Sequence, residues 1–594
     1  MRILLLEDSK SSRLMIQQQL ITLGHDVDAV ENGQQGFLKA TSNQYDLFIC
    51  DLLMPHWDGF KFMEAMQAVC PHLPVVVISS TTQDEHLEAK LAPYDNIIAS
   101  LGKPFNIDQL DAILQKIRTQ ASDSVRKLAR IVCTIGPASQ SSQTIGRMVL
   151  AGMDVARLNF SHGSHEQHKK HLLAIRKAEE EWGRPIAILM DLCGPKIRTG
   201  LIKDNKVILR AGYNIVIQAE AIEGTEERIS TISPEILPDL RVGDPVLLDD
   251  GQMELKVIQE GDKEVVCQVV VGGKLSSNKG INLPETPLSV PCLTDKDRLD
   301  LEWGLNHSVD FVALSFVRNP EDIMEVKEII AKSGMRALKV VAKIEKPEAV
   351  ERICEIIEVS DVIMIARGDL GVEIPAAKVP RIQQKIIKLC WEQNTPVITA
   401  TQMLESMTEN TRPTRAEVTD VSMAIKEGTD AVMLSGETAA GIDPLNVVRT
   451  MASIICEEER HSILSFDLKQ FTSSRAEINP ALIAAASLGE AAATMVLDFG
   501  GQLYRYLSKW NRQTPTLLVT NSVHVARHSC IFKNVMPIII KDKLSRDQMV
   551  FRALDEAKQR GYLVSGDTLA ILEGKRLTQG GIPQVGAFQL VKVD

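Results

Sequence analysis

Lys343, Glu345 and Asp369 lie within the stretch Val340–Pro375, VVAKIEKPEAVERICEIIEVSDVIMIARGDLGVEIP, and are the residue types that a phosphoryl group and a divalent cation need. Two apolar runs, LKVVAKIE and DVIMIARGD, end in charge and flank a segment of helical spacing, PEAVERICEIIEVS. The pattern predicts strand, helix, parallel strand. The three charged residues then fall at or just past the carboxyl ends of the strands, where barrels of parallel strands build their chemistry. Carboxylates are hard oxygen ligands for a divalent ion, and an ammonium meets negative charge developing on phosphate oxygens. On these residues alone, ion pairing at strand ends accounts for the triplet equally well.

A second group of chemically capable residues stands near the amino terminus. Residues 2–118 alternate apolar runs (RILLLE, DVDAV, DLFICD, VVVISS) with helix-like segments (SRLMIQQQLITLG, GQQGFLKAT, FKFMEAMQAV, DQLDAILQKIRTQ). This predicts an open parallel sheet whose polar strand ends carry Glu7, Asp8, Asp51, Ser79 and Lys103. Three acids on one edge repel one another unless a divalent cation binds there.

The elements that position these residues follow from the rest of the chain. At 594 residues it exceeds what one core supports, so several domains are expected. Hydrophobic residues make up 44% and charged residues 24%, an ordinary α/β balance. A net charge of -11 with no dense Lys/Arg run argues against nucleic acid as a partner. Ten scattered cysteines without a CxxC pair argue against a zinc site and for a reducing compartment. The amino terminus, MRILLLEDS, has too short an apolar run for a signal peptide, and no run is long enough to span a membrane. A cytoplasmic location is expected.

After a polar stretch, Thr119–Arg126, eight strand candidates alternate with helices: ARIVCTIG, VARLNFS, AILMDLCG, DFVALSFV, LKVVAKIE, DVIMIARGD, PVITATQ and DAVMLSGE. That is the count of a (β/α)₈ barrel. The interruption after the third strand has short alternating runs and Gly/Asp turns, the pattern of an inserted all-β domain placed as a lid. The last part is α/β again. The expected fold class is therefore multidomain α/β, with a flavodoxin-like domain at 1–120, a barrel at 127–200 and 293–470, a lid at 201–292 and a carboxyl-terminal α/β domain at 477–594.

The amino-terminal domain resembles the receiver of response regulators, through Glu7-Asp8, Asp51 in DLLMPHWDG, Ser79 and Lys103-Pro104 in GKPF. The resemblance implies phosphorylation at Asp51, Mg²⁺ held by Asp8 and Asp51, a switch involving Glu7, Ser79 and Lys103, and a sensor histidine kinase or phosphotransfer protein as partner. Ser100 occupies the place of the usual aromatic switch residue. A response is then expected to travel through the helix Asp108–Gln120.

The barrel strand ends read RLNFSHG, MDLCGPKIRTG, AKIEKPE, IARGDLGVEIP, TATQMLESM, RPTRAEVTDV and MLSGETAAG. This set resembles pyruvate kinase over about 465 residues. It implies phosphoryl transfer from phosphoenolpyruvate to ADP with Mg²⁺ or Mn²⁺, and a homotetramer. Lys343, Arg157 and Thr401 are the implied catalytic residues, and Arg157, Gly368, Asp369 and Thr401 the implied substrate-binding ones. Glu345 and Asp369 hold the divalent ion, and Arg198, Lys279, Asn159 and His162 the nucleotide. Ser435 and Glu437 are candidates for a water-borne proton path to the enolate. Asn159, Ser161, Asp191 and the Leu192 carbonyl match monovalent-cation positions, but Lys196 stands where potassium-dependent members commonly have a glutamate. K⁺ is therefore not expected to be required. The loops LDFGGQLYR and GGIPQVG lack the hydroxyls of a sugar-bisphosphate effector site. An alternative is a signalling scaffold that binds metabolites without turnover. Another is an active enzyme whose receiver serves only as a structural or partner-binding module.

Overall fold

The computed structural model describes residues 2–593 except 43–44, 46, 70–72, 81–89, 92–93, 95, 115–126, 285, 335–336, 462–490, 499–502, 511–513, 543, 561 and 576–583. The expected linker at 119–126, the later part of the helix at 108–120, the middle of the loop LDFGGQLYR and most of GGIPQVG lie outside the described residues. The chain divides into two compact units, one built from about the first 125 residues and the other from nearly all the rest.

The amino-terminal unit is a five-stranded parallel sheet in the order Asp26–Val30, Arg2–Leu6, Leu47–Asp51, Val75–Ser79, Ile97–Gly102. Leu47–Asp51 and Val75–Ser79 are buried along their whole length, as inner strands covered on both faces must be. The order reverses between Arg2–Leu6 and Leu47–Asp51, which is where open sheets of this kind leave a crevice at their carboxyl ends.

In the second unit a closed barrel of eight parallel strands forms from Arg130–Thr134, Val155–Asn159, Ala187–Asp191, Phe311–Leu314, Lys339–Ile344, Val362–Ala366, Val397–Ala400 and Ala431–Leu434. All eight expected strands are present, in order. Their helices start where the sequence supplies a cap. Ser164 and Gln167 close a reciprocal pair of bonds at the start of His165–Trp182, and Thr294 with Asp297, Asn319 with Asp322 and Thr414 with Glu417 do the same for three others. Between the third and fourth strands lies a six-stranded sheet, ordered Arg228–Ser230, Asn214–Gln218, Glu264–Val271, Met253–Gln259, Pro245–Leu248, Ile281–Asn282, around its own apolar core.

The carboxyl-terminal sheet runs Val535–Ile539, Thr516–Thr520, Ala493–Leu497, Thr568–Lys575, Gln584–Lys592, with the last strand antiparallel. The segment just before its strand Val535–Ile539 supplies Cys530, Ile531 and Phe532 to the cluster of side chains that fills the barrel interior with Val132, Val155, Phe311, Val341, Val362 and Ile398. Arg130 donates to the carbonyls of Phe532 and Val535, and the buried Lys509 pairs with Asp430 at the foot of the eighth strand. The amino-terminal end of the barrel is thus sealed, which leaves the carboxyl-terminal end for chemistry. Among the described residues no helix is long and apolar enough to cross a membrane.

Beside the second barrel strand, His168 stacks on Phe160 with ring centroids 4.0 Å apart and donates from Nε2 to the His162 carbonyl. Burial pushes its pKa down from 6.5 to about 4. A depressed value in the fold means that protonation favours the unfolded chain. The stability contributed by neutral His168 is therefore complete above pH 6.5 and is lost as pH falls through about 4. His528 is shifted in the same way, so His168→Gln should flatten only part of the decline. Denaturant midpoints followed by tryptophan fluorescence across that window check this. Equal slopes in variant and wild type contradict it.

Candidate active site

Four charged side chains meet at the carboxyl ends of the second, third and fifth barrel strands. Arg157 Nε donates to Asp191 Oδ2 at 2.8 Å and Arg157 Nη1 to Thr134 Oγ1 at 2.9 Å. Lys343 Nζ stands 3.2 Å from Asp191 Oδ1, 2.9 Å from Glu345 Oε1 and 2.7 Å from Ser315 Oγ. Ser315 passes its own hydroxyl hydrogen to the Leu192 carbonyl at 2.8 Å. Asp191 and Glu345 are each 1% exposed at the side chain.

Electrostatics explains how so much charge is tolerated. Burial works against the Lys343 ammonium, but Asp191 and Glu345 outweigh it and hold its pKa above the ordinary lysine value. Burial likewise opposes the Asp191 carboxylate, and Lys343 with Arg157 overturns that and lowers its pKa. Glu345 goes the other way. Burial raises its pKa, Lys343 only partly compensates, and the nearby Asp369 pushes it further up. A buried carboxylate facing a second carboxylate is a donor set that a divalent cation relieves, so Glu345 and Asp369 fit a hard metal ion.

Local backbone geometry aims these groups. Phe316 has φ of 57°, a left-handed conformation that costs a bulky residue energy, and its N–H donates to Glu345 Oε2 at 2.8 Å. Thr401 and Gln402, at the end of the seventh strand, have φ of 68° and 54°. Arg367 donates to the Thr401 and Gln402 carbonyls and to Asp420, fixing the start of the helix Arg367–Glu373 against that strand end. Gly368 and Asp369 open this helix. The Gly368 N–H is given to Thr401 Oγ1 at 2.7 Å, so of the two backbone donors expected for a substrate carboxylate, one already has a partner inside the protein.

The remaining expected residues are placed as follows. Asn159 Oδ1 accepts the Ser161 N–H at 3.1 Å, and His162 is exposed nearby. Arg198 donates to the Asn278 carbonyl at 2.9 Å, and Lys279 pairs with Asp249 of the lid at 2.8 Å. Both are engaged with the lid's own groups. Lys196 is exposed on the wall of a cleft that Asp250, Asn282, Phe316, Lys346, Asp369 and Glu373 also line. It makes no ion pair with Asp191, whose carboxylate already faces the two cations Arg157 and Lys343. The Glu437 carboxylate accepts the N–H groups of Ser435, at 2.6 Å, and Leu404, at 3.2 Å, and burial raises its pKa.

Sequence reasoning missed Thr134, Ser315, Phe316, Arg367, Lys346 and Glu373. Ser315 and Phe316 stand at the end of the fourth strand run, DFVALSFV, and that position was the available signal.

In the receiver-like unit, ligand atoms of Glu7, Asp8 and Asp51 lie within 4.8 Å of one another. Lys103 Nζ bridges Glu7, at 2.7 Å, and Asp51, and its backbone N–H donates to the Ser79 carbonyl at 2.8 Å. Burial raises the pKa of Glu7, with Lys103 opposing. Three oxygen donors gathered at one sheet edge, Glu7 and Asp51 buried and Asp8 exposed, suit a divalent ion. Ser79 is buried and Ser100 exposed.

The fold and these sites define a barrel enzyme with an inserted β lid and a carboxyl-terminal α/β domain, in one chain with an open parallel-sheet domain that gathers acids at one edge. Residues 126–448 match the family profile "Pyruvate kinase, barrel domain", residues 477–582 "Pyruvate kinase, alpha/beta domain" and residues 3–115 "Response regulator receiver domain". Proteins named pyruvate kinase from Staphylococcus aureus strains RF122/ET3-1, USA300 and COL are each 41% identical over 473 residues, covering 78% of this chain and 80% of each relative. The chain belongs to the pyruvate kinase family.

Proposed function

We propose that the barrel transfers the phosphoryl group of phosphoenolpyruvate to ADP, giving pyruvate and ATP. The observation that carries this reading is Lys343, its side chain only 12% exposed and kept cationic between Asp191 and Glu345 beside the Arg157 guanidinium. Phosphoryl transfer asks mainly for positioning and for positive charge beside the moving group. Glu345 and Asp369 hold Mg²⁺ or Mn²⁺, which when bound supplies charge neutralisation at the phosphoryl oxygens. Arg157 grips the phosphate of the substrate by charge-assisted hydrogen bonds, and Lys343 meets the charge on the group in flight. The amino-terminal turn at Gly368 and Asp369, with Thr401, orients the substrate carboxylate. Arg198, Lys279, Asn159 and His162 turn to the nucleotide phosphates, the first two leaving their lid partners to do so. The enolate takes its proton on the Thr401 side, through water in reach of Ser435 and Glu437, because a threonine hydroxyl has too high a pKa to be the ultimate acid.

The receiver unit takes a phosphoryl group at Asp51 from a histidine kinase or phosphotransfer protein, with Asp8 and Asp51 on a divalent ion and Glu7, Ser79 and Lys103 reading the new charge. Phosphorylation is read as regulating turnover or assembly of a cytoplasmic homotetramer. K⁺ is dispensable because Arg157 and Lys343 already face Asp191, and the Lys196 ammonium, exposed on the cleft wall, turns in to the space beside Asp191 and Asn159 that the ion would fill.

Lys343→Met should fold and lose on the order of 10²-fold or more of the pyruvate formed from phosphoenolpyruvate and ADP. Near wild-type turnover in that variant would falsify the reading. Omitting K⁺ and Na⁺ should leave activity intact, and Lys196→Glu should create a K⁺ requirement. Strong KCl activation of the wild type, beyond an ionic-strength effect, contradicts this. A beryllofluoride phosphoryl mimic should shift the phosphoenolpyruvate saturation curve or the oligomer mass of the wild type and leave Asp51→Ala unchanged. The same behaviour in both leaves the receiver without a regulatory part.

A further inference from the structure

The helix Arg367–Glu373 carries Gly368 and Asp369 at its start and is held at both ends. Its start is fixed from within the barrel by Arg367 and Thr401. Its end is held differently. Glu373, with its side chain 1% exposed, pairs through Oε1 with Lys346 Nζ at 2.8 Å and accepts from Asn282 Nδ2 at 2.9 Å. Its other oxygen, Oε2, is buried and accepts no hydrogen bond. Asn282 belongs to the lid, where the strand Ile281–Asn282 pairs with Leu247 and Leu248. A second lid segment reaches the same helix, since a Cβ built at Gly251 would stand 3.8 Å from Val372 Cγ1.

The other arm of this contact leads back to the charged cluster. Lys346 directly follows Glu345 and lies over the Phe316 ring, 5.9 Å from its centroid, and the Phe316 N–H donates to Glu345. One buried carboxylate therefore joins the lid to both candidate metal-binding stretches, the Glu345 turn through Lys346 and the Asp369 helix through its own backbone. A buried acid that satisfies a barrel cation and a lid amide with the same oxygen is costly to keep and is poorly satisfied if the lid moves away.

We infer that the Asn282–Glu373 hydrogen bond is a positioning contact for phosphoryl transfer, through which seating of the lid sets the helix that bears Gly368 and Asp369. Neither residue touches the reacting atoms. The inference rests on the pyruvate kinase reading, and wild-type turnover of phosphoenolpyruvate with ADP tests that reading separately.

The experiment is a double-mutant cycle in the full-length protein with Asn282→Ala, Glu373→Gln and both, reading kcat and KM for ADP at saturating phosphoenolpyruvate. Removing a bond to a buried carboxylate should lower kcat/KM for ADP about tenfold in the wild-type background. In the Glu373→Gln background, where the acceptor is neutral and the bond already weak, the same substitution should cost about twofold or less. An equal factor in both backgrounds overturns the inference, because it means that the two residues act independently. Glu373→Gln leaves Lys346 facing a neutral group and is the variant at risk of misfolding. Amide hydrogen exchange of Asn282→Ala with ADP and Mg²⁺ present is therefore the second measurement. Faster exchange across residues 368–374 than in the wild type supports coupling between lid and helix, and unchanged exchange there refutes it.

Discussion

The catalytic half of this molecule depends on a buried balance of two cations and two anions. Lys343 and Arg157 both face Asp191, and Lys343 also faces Glu345, in a space from which water is largely excluded. Taking any one of them out of water alone is prohibitive, and removing one partner of such a set typically costs about 3–5 kcal/mol because it strands the others. Side chains from separate barrel strands meet here, so the balance exists only when the whole ring of strands is closed and in register. The left-handed φ of Phe316 serves the same demand, since in that conformation its amide donates to Glu345.

The two ends of the barrel divide the work. At the amino-terminal end, Arg130, Lys509 and the apolar segment Cys530–Phe532 tie the carboxyl-terminal domain into the interior, and the contacts there are of the kind that hold a fold together. At the carboxyl-terminal end the side chains are charged, the backbone is strained in three places and the lid stands over a cleft. The receiver unit repeats the principle on a smaller scale. Glu7, Asp8 and Asp51 crowd one sheet edge, and Lys103 offsets two of them.

Much of this was legible in the sequence because the informative residues sit at strand ends, where an apolar run stops and a charge begins. The strands on either side of the receiver's switch point could be read that way, while the eight barrel strands and the inserted β domain show in the alternation of apolar runs with helical segments or with Gly/Asp turns. What could not be read are contacts whose partners are far apart in the chain or belong to the backbone. The Phe316 amide on Glu345, the Thr401 hydroxyl on Gly368 and the Glu373 link to Asn282 leave no periodicity. Arg198 and Lys279, expected at the nucleotide, also have partners within the lid, the Asn278 carbonyl and Asp249, which no spacing in the sequence announces. Lys196 was expected beside Asp191, but Arg157 and Lys343 already face that carboxylate and Lys196 stays at the surface of the cleft.

Two sites in this chain suit phosphoryl chemistry, the barrel cluster and Asp51, and the central claim is that the phosphoryl of phosphoenolpyruvate is handled by the first. The most direct measurement follows the label from phosphoenolpyruvate carrying ³²P in its phosphoryl group, incubated with ADP, Mg²⁺ and either the wild type or Asp51→Ala. The account predicts that label appears in ATP at the same catalytic rate with both proteins, with one pyruvate formed per ATP. Label that accumulates on the protein in an Asp51-dependent way, without ATP being formed, would contradict it.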